Sequence, residues 1–260
     1  MIYILNCKLI INMSFNLFLF LWSLLAILIF VTLFFVNAPY GRYIKNNWGF
    51  LIPAKAGWII MESPSVFLMI FLTIIYFGNL DFISFIFIFL WLLHYTHRTL
   101  IYPFFANMNT KDMPISIAVS AFFFNIVNVS VQFFGIFILT SYETTWLFSF
   151  PFIIGIILFL MGMFINIKSD YLMILMKKEL GPGYHIPNKF LYKFISSPNY
   201  FGEIIEWAGW AIMTMSTAGL TFLIWTIANL LPRAMNHHKW YIENFENYPK
   251  DRKAIIPKLL

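Results

Sequence analysis

Charged residues and cysteines are scarce in this sequence. Only 11% of the 260 residues are charged, whereas 61% are hydrophobic, including 32 Phe. A soluble domain of this size could not cover so much apolar surface. The single cysteine, Cys7, cannot form an internal disulfide, so the fold needs no oxidising compartment. The composition therefore indicates an integral membrane protein.

Familiar nucleotide and metal motifs are also missing. Neither GxGxxG nor GxxxxGK[ST] occurs, so a nucleotide would be bound without a Rossmann fold or a P-loop. Five histidines are too few for a membrane di-iron enzyme, even though His94 and His97 form an HxxH pair. We therefore expect no metal. A transporter is disfavoured because no inverted repeat is visible and the predicted outer loops are short.

Long apolar runs predict an all-α, polytopic membrane protein with seven transmembrane helices in a single domain, residues 1–260. Most of the runs reach the roughly 20 residues that cross a bilayer. The predicted helices cover residues 15–36, 58–78, 82–104, 114–140, 146–166, 200–216 and 219–233. A tail follows at 234–260, and an amphipathic surface helix is expected at KFLYKFISS, residues 189–197.

The positive residues predict the orientation of these helices. Cytoplasmic loops are enriched in Lys and Arg. If the N-terminus lies outside, all of the 17 Lys and Arg residues except Lys8 lie on the cytoplasmic side. We therefore expect an outside N-terminus and a cytoplasmic C-terminus. The net charge of +6 then reflects topology and gives no support to nucleic-acid binding.

Polar side chains recur near the predicted cytoplasmic ends of the helices, where burial in lipid would be costly. The stretch SSPNYFGEIIEW, residues 196–207, places Asn199, Glu203 and Glu206 on one helical face. Four other helices carry similar groups: Trp58 and Glu62; Tyr95 and Arg98; Asn166, Asp170 and Lys177; and Arg233, His237 and Tyr241.

These groups predict one cavity within the bundle that opens to the cytoplasm. Arg and Lys suit phosphate groups, Asn and Asp suit hydroxyl and amide groups, and Trp58 and Trp207 suit an apolar ligand. The residues thus predict a site for a large anionic ligand and a lipophilic one. The polar groups at 125–132 are explained by hydrogen bonds between helices. Glu206 fits a structural pairing as well as a role in binding.

A series of short motifs, in their order and spacing, resembles the steroid 5α-reductase family. The resemblance extends from APYGRY at residue 38 to KAIIPKLL at the C-terminus. The motifs between them are ESPS (62–65), HYTHRT (94–99), INIKSDY (165–171), SSPNYFGEIIEW, RAMNHHKWY (233–241) and FENYPKDRKAIIP (245–257). The family implies a seven-helix membrane enzyme that takes a hydride from NADPH and reduces the 4,5-double bond of a 3-oxo-Δ4-steroid.

The resemblance also implies roles for individual residues. Glu62 and Tyr95 match the pair that binds the 3-keto oxygen, where a Tyr hydroxyl held by a carboxyl group can stabilise growing negative charge. Trp58 and Trp207 would flank the steroid. The residues expected to bind NADPH are Arg98, Asn166, Asp170, Lys177, Asn199, Glu203, Arg233, His237 and Tyr241.

Three positions depart from the family pattern. Lys177 stands where relatives can have Arg, which keeps the charge but loses the bidentate fork for phosphate. Met61 stands where vertebrate members have Gln, and this change bears on substrate fit. Ser120 stands where vertebrate members can have Arg, and it bears on packing or cofactor affinity.

Two other enzyme classes stay open at this point. A trans-2-enoyl-CoA reductase uses the same hydride chemistry on a fatty acyl substrate, and an isoprenylcysteine-type methyltransferase also binds its cofactor between helix ends. For all three classes we expect an integral membrane protein of the bacterial inner membrane or the endoplasmic reticulum. Its active site would open to the cytoplasm, lipids would surround it, and no obligate protein partner is expected.

Overall fold

Eight α-helices make up most of the chain that the computed structural model describes, which is residues 2–36, 43, 48–106, 108, 111–181 and 183–260, with side chains from residue 10. The motif APYGRY therefore lies outside the described residues, apart from Tyr43. The helices are α1 (Ile2–Phe35), α2 (Ala54–Ile75), α3 (Phe82–Thr96), α4 (Tyr102–Phe105), α5 (Ile115–Gln132), α6 (Phe150–Leu180), α7 (Pro198–Thr214) and α8 (Thr217–Asn244).

Six segments of the described chain are long and apolar enough to cross a membrane. They comprise α1, α2, α3 with α4, α5 with the π-helical segment Phe133–Ile138 that extends it, α6 and α8. The prediction of a mostly helical, polytopic membrane protein is confirmed at this level. The remaining helix, α7, has 17 residues and spans about 26 Å at 1.5 Å per residue. Seven spans and the orientation of the termini stay predictions.

Three local features differ from the sequence-based expectations. The bounds of three helices differ most: α1 begins at Ile2 instead of 15, α6 continues to Leu180 instead of ending at 166, and α8 continues to Asn244 instead of ending at 233. Buried residues on one face account for the longer ends, Asn166 and Asp170 in α6 and Ala234 and Tyr241 in α8. The surface helix expected at 189–197 is only a 3₁₀ turn, Phe190–Lys193. A small antiparallel sheet also accompanies the helices. Its strands, β1 (Leu51–Pro53) and β2 (Asp112–Pro114), precede α2 and α5 directly, so they tie together the first turns of two helices that pack on each other.

Glycines allow α6 and α7 to pack with their backbones in contact. A Cβ atom added to Gly162 would lie 2.3 Å from the backbone nitrogen of Glu206, and one added to Gly202 would lie 2.5 Å from that of Asn166. Gly155 and Gly209 meet in the same way one heptad further along. Small residues permit such close approach between membrane helices. The contact brings the polar face of α6 directly against the polar face of α7.

We expect Gly162→Ala to destabilise the protein, because the new methyl group must push the two backbones apart. Overpacking of this kind costs about 1–3 kcal/mol. Gly78→Ala is the matched control, since a Cβ there would meet nothing within 4 Å. Thermal unfolding of both variants in detergent measures the difference. Equal melting temperatures for the two variants would contradict the close packing.

Hydrogen-bonded aromatic residues fill the centre of the bundle. Trp91, Trp207 and Trp210 are almost fully buried. The Trp91 indole donates to the Ser65 carbonyl at 2.9 Å, and the Trp210 indole donates to the Gln132 side chain at 2.9 Å. The interpretation of residues 125–132 as groups that link helices is therefore confirmed for Gln132. These bonds fix α3 and α7 against α2 and α5 next to the polar residues.

Candidate active site

Arg98 lies where four helices converge. It belongs to a π-helical turn, His97–Ile101, that extends α3, and such turns recur at functional sites. Its guanidinium nitrogens lie 3.9 Å from Glu62 on α2, 3.8 Å from Asp170 on α6 and 3.7 Å from Glu203 on α7. The four side chains are at most 15% exposed. One cation thus holds three carboxylates from three other helices.

Each carboxylate of this cluster also has an amide partner. The amide groups come from α5, α6 and α7, and two of them were predicted to bind a cofactor. The contacts run from Asn125 Nδ2 to Glu62 Oε2 at 3.5 Å, from Asn199 Nδ2 to Asp170 Oδ1 at 2.9 Å, and from Asn166 Nδ2 to Glu203 Oε2 at 3.2 Å. The amides hold the carboxylate groups in defined orientations, so contacts within the chain organise the cluster.

The charge balance of the cluster decides what it can bind. With three carboxylates and one guanidinium, it is negative when all groups are ionised. Carboxylate and amide oxygens accept hydrogen bonds from hydroxyl and amide N–H groups, whereas they repel phosphate. This part of the site therefore suits the ribose and carboxamide groups of a nucleotide, and the phosphates need a separate set of cations.

Such cations line a cavity of about 430 Å³ beside the cluster. Residues from α2, the β2 region, α4, α6 and the loop after α6 surround it. They include Trp58, Tyr102, Lys111, Asp170, Lys177 and Tyr184. Asp170 is shared with the Arg98 cluster, so the cavity leads from the carboxylates to the lysines. Sequence reasoning missed the contribution of the β2 region, because strands of three residues give no periodic signal.

Trp58 lies between the cavity and Arg98. Its indole N–H donates to the Arg98 carbonyl at 3.0 Å, and its ring lies 4.9 Å below the Arg98 guanidinium. This contact stabilises the π-helical turn, since cations are attracted to the face of an indole. The role of Trp58 beside the steroid stays a prediction, because the same ring also lines the cavity with Lys177.

Tyr95 lies on α3, one turn before Arg98, and is 5% exposed. Its ring is bounded by Trp91 at 4.6 Å, His94 at 4.8 Å and Trp207 at 5.8 Å between centroids. No hydrogen bond joins Tyr95 to Glu62 among the described residues, although the carboxylate is close enough to act on the phenol electrostatically. The two members of the predicted catalytic pair thus interact electrostatically, and their joint contact with a substrate oxygen stays a prediction.

The predicted cofactor residues of α8 form a second group near the start of α7. The His237 ring lies 5.5 Å from that of Tyr200, which follows Asn199 in the chain. Tyr241 donates to the His185 carbonyl at 3.3 Å and stacks on Tyr248 at 5.2 Å. Arg233 lies on the same helix and is half-buried. The structure therefore links this group to the start of α7 and to the C-terminal segment.

The C-terminal segment packs against the residues that precede the N-terminus of α7. Ser196 Oγ lies 2.6 Å from both His238 Nδ1 and the Tyr248 hydroxyl, and the Ser196 N–H donates to the Lys253 carbonyl.

Tyr192, in the 3₁₀ turn before α7, donates to the Ser169 carbonyl at 3.4 Å. Burial, assisted by the charge of Asp170, raises the pKa of Tyr192 well above its usual value, so this phenol stays neutral and acts as a donor.

One contact was missed from the sequence. His94 Nδ1 lies 2.8 Å from Glu206 Oε1, with the two side chains 5% and 0% exposed. The sequence disfavours a metal at the HxxH pair of His94 and leaves Glu206 open between structural pairing and a role in binding. The contact gives the pairing interpretation a defined partner, His94 on α3.

The three departures from the family pattern differ in their surroundings. The Met61 carbonyl accepts from Asn125 at 2.7 Å, so its backbone lies next to the Arg98 cluster. Lys177 lines the 430 Å³ cavity. Ser120 is exposed, and its hydroxyl donates to the Ile117 carbonyl of its own helix at 3.1 Å. Unlike Lys177, Ser120 does not line the cavity.

Comparison with known proteins gives one consistent result. A family profile described as 3-oxo-5-alpha-steroid 4-dehydrogenase matches residues 111–260. The proteins named steroid 5-alpha-reductase DET2 from Arabidopsis thaliana and Gossypium hirsutum are 43% and 40% identical to this chain, over 87% and 90% of its length and 89% and 93% of theirs. The 3-oxo-5-alpha-steroid 4-dehydrogenase 1 of Bos taurus is 37% identical over 91% of this chain and 93% of its own.

Proposed function

Because the chain belongs to the 3-oxo-5-alpha-steroid 4-dehydrogenase family, whose members are oxidoreductases that act on CH–CH groups, we propose that it reduces the 4,5-double bond of 3-oxo-Δ4-steroids with NADPH. The observation that carries this proposal is the Arg98 cluster, which gathers Glu62, Asp170 and Glu203 beside Tyr95. This arrangement supplies hydrogen-bond partners for a nucleotide next to a phenol that can bind a ketone.

Two sets of residues suit nicotinamide adenine dinucleotide phosphate, one for its hydroxyl and carboxamide groups and one for its phosphates. Asp170, Glu203 and their amide partners would hold hydroxyl and carboxamide groups, since these oxygens and amides are already oriented. Lys177, together with Arg233 and His237 of α8, would hold the phosphates. When bound, NADPH supplies the hydride. The acidic cluster and the cavity lysines thus match opposite ends of one ligand.

Tyr95 and Glu62 would act on the steroid. A conjugated ketone accepts hydride at C5 only when the negative charge that develops on its oxygen is stabilised. Tyr95 would donate a hydrogen bond to that oxygen, and Glu62 would act on the phenol electrostatically. C4 would then take up one proton from water, so that hydride and proton together add two hydrogens across the double bond. The aromatic wall of Trp91 and Trp207 around Tyr95 excludes water from the ketone, which strengthens this hydrogen bond.

An assay of the purified protein with NADPH tests the function directly. Consumption of NADPH with progesterone, and formation of the 5α-reduced ketone, is the expected result. A trans-2-enoyl-CoA is the comparison substrate, and consumption with the thioester alone would overturn the proposal. Binding of S-adenosylmethionine in place of NADPH would assign the chain to methyl transfer. We propose an integral membrane enzyme whose site opens to the cytoplasm.

Arg233→Ala is expected to raise the KM for NADPH about tenfold or more, because a hydrogen bond to a charged group is worth about 1.5–3 kcal/mol. The KM for the steroid should stay nearly unchanged. Lys239→Ala is the control, since Lys239 lies on the same helix but is 75% exposed and pairs with Glu243. Steady-state kinetics with each substrate varied in turn give both constants. An effect confined to the steroid would remove Arg233 from the cofactor site.

A further inference from the structure

The buried contact between His94 and Glu206 has no place in the chemistry above. Its two atoms are 2.8 Å apart, which is within the range of a strong hydrogen bond. The second carboxylate oxygen of Glu206, Oε2, is buried and has no hydrogen-bond partner among the described residues. A buried polar pair of this kind costs free energy to bury, and apolar residues of similar size are often at least as stable. Stability alone therefore does not explain it.

The position of the pair links the two aromatic residues of the proposed steroid site. His94 precedes Tyr95 on α3, and Glu206 precedes Trp207 on α7. The His94 ring packs edge-on against both rings, at 4.8 Å from Tyr95 and 4.8 Å from Trp207. The hydrogen bond to Glu206 prevents the imidazole from rotating. The fixed His94 ring thus limits the directions in which the Tyr95 ring can point.

Helix α7, which carries Glu206, is also fixed by its contact with α6. The backbone of Glu206 lies against Gly162, so α7 cannot shift toward α6. The His94–Glu206 contact then fixes the distance between α7 and α3. Consequently the chain of contacts runs without a gap from the α6 backbone through Glu206 and His94 to the phenol of Tyr95.

We propose that His94 and Glu206 are positioning residues that hold the Tyr95 hydroxyl against the 3-keto oxygen of the steroid. The inference rests on the proposed steroid reduction. It assigns neither residue to hydride or proton transfer. The pair should therefore govern kcat and the preference for a ketone, while NADPH affinity is independent of it.

Two variants of Glu206 and a control test this role. Glu206→Leu removes the hydrogen bond, whereas Glu206→Gln keeps a side chain that can bond to His94. We expect Glu206→Leu to lower kcat about tenfold or more and Glu206→Gln to stay within about threefold of wild type, since small misplacements of catalytic groups are costly. Gln132→Met is the control, because it breaks another buried hydrogen bond of α7, the one that Trp210 donates. Trp91 and Trp207 lie between Trp210 and Tyr95.

A binding measurement isolates the ketone contact from turnover. The probes are two saturated steroids, 5α-pregnane-3,20-dione and 5α-pregnan-20-one, which differ only in the 3-oxo group. Wild type and Gln132→Met should prefer the 3-oxo steroid, and Glu206→Leu should lose most of this preference with an unchanged Kd for NADPH. A preference retained in Glu206→Leu, or a parallel loss of NADPH affinity, overturns the proposal.

The same experiments separate this proposal from the proposed function. Absence of progesterone reduction by the wild-type protein contradicts the function itself, whereas wild-type turnover with equal kcat values in Glu206→Leu and Gln132→Met contradicts only the positioning role. If Glu206→Leu does not give folded protein, His94→Leu is measured with the same probes and the same expected losses.

Discussion

Glu62→Gln and Tyr95→Phe are each expected to abolish steroid turnover, with a fall in kcat of about 10² or more, while NADPH still binds. Each change removes a group that acts on the ketone oxygen, and electrostatic and general-acid contributions of this kind reach such factors. Tyr95→Phe leaves the ring packed between Trp91 and Trp207, so the loss will be chemical and not structural. Glu62→Gln keeps the side-chain shape beside Asn125.

Single-turnover NADPH consumption and NADPH binding, measured on the same preparations, check this result. Ser63→Ala is the control for Glu62, because Ser63 is adjacent in α2 and bonds only to the Ile60 carbonyl. Tyr76→Phe is the control for Tyr95, because Tyr76 packs on Phe133 and Phe134 away from the Arg98 cluster. Both controls should behave like wild type. Unchanged turnover in both Glu62→Gln and Tyr95→Phe would remove the proposed catalytic pair.

Arg98→Met is expected to destabilise the protein by about 3–5 kcal/mol as well as to abolish activity. Removal of one partner from a buried ion pair leaves uncompensated charge, which carries a cost of this size. Here three carboxylates lose their common cation at once. The amide groups of Asn166 and Asn199 do not replace it, because they carry no charge. Thermal unfolding in detergent and NADPH binding should both show the loss.

A second change on top of Arg98→Met tests this explanation. Arg98→Met/Glu203→Gln removes one of the unpaired charges and should recover part of the melting temperature without recovering turnover. Lys168→Met is the control, since Lys168 is an exposed cation of α6 that lies against Phe164 and Phe190. A melting temperature for Arg98→Met equal to that of Lys168→Met would mean that the cluster does not depend on its cation.

The sequence predicted which helix faces are polar but not how they pair. Helical spacing alone puts Asn166 with Asp170 and Asn199 with Glu203, because residues three or four apart share a face. The pairing across helices, such as Asn199 with Asp170, depends on the glycine contact between α6 and α7, which no periodicity reports. The sequence likewise predicts that Arg98 binds the cofactor but does not show that it contacts carboxylates from three different helices.

The β1–β2 pairing and the partner of Glu206 were also not predicted, because both depend on contacts between residues far apart in sequence. The β1–β2 pairing joins segments about 60 residues apart and contains only three residue pairs, so neither strand has a detectable alternation. The partner of Glu206 is His94, 112 residues away, and a one-dimensional pattern cannot identify such a contact. Family resemblance predicted residues that act on ligands, whereas the contact between His94 and Glu206 emerged only from the packing.

The backbone contact between α6 and α7 has a consequence for how the protein is made. These two helices are consecutive and can associate as soon as both are inserted, with Asp170 and Glu203 facing the same way. Arg98 is inserted earlier, in the π-helical turn that extends α3, and its docking brings the cation that these carboxylates share. We therefore expect membrane biogenesis to have no stable half-assembled product, because a bundle that has not closed exposes ionised groups to lipid. On this expectation, assembly of the Arg98 cluster coincides with docking of α3 against α6 and α7.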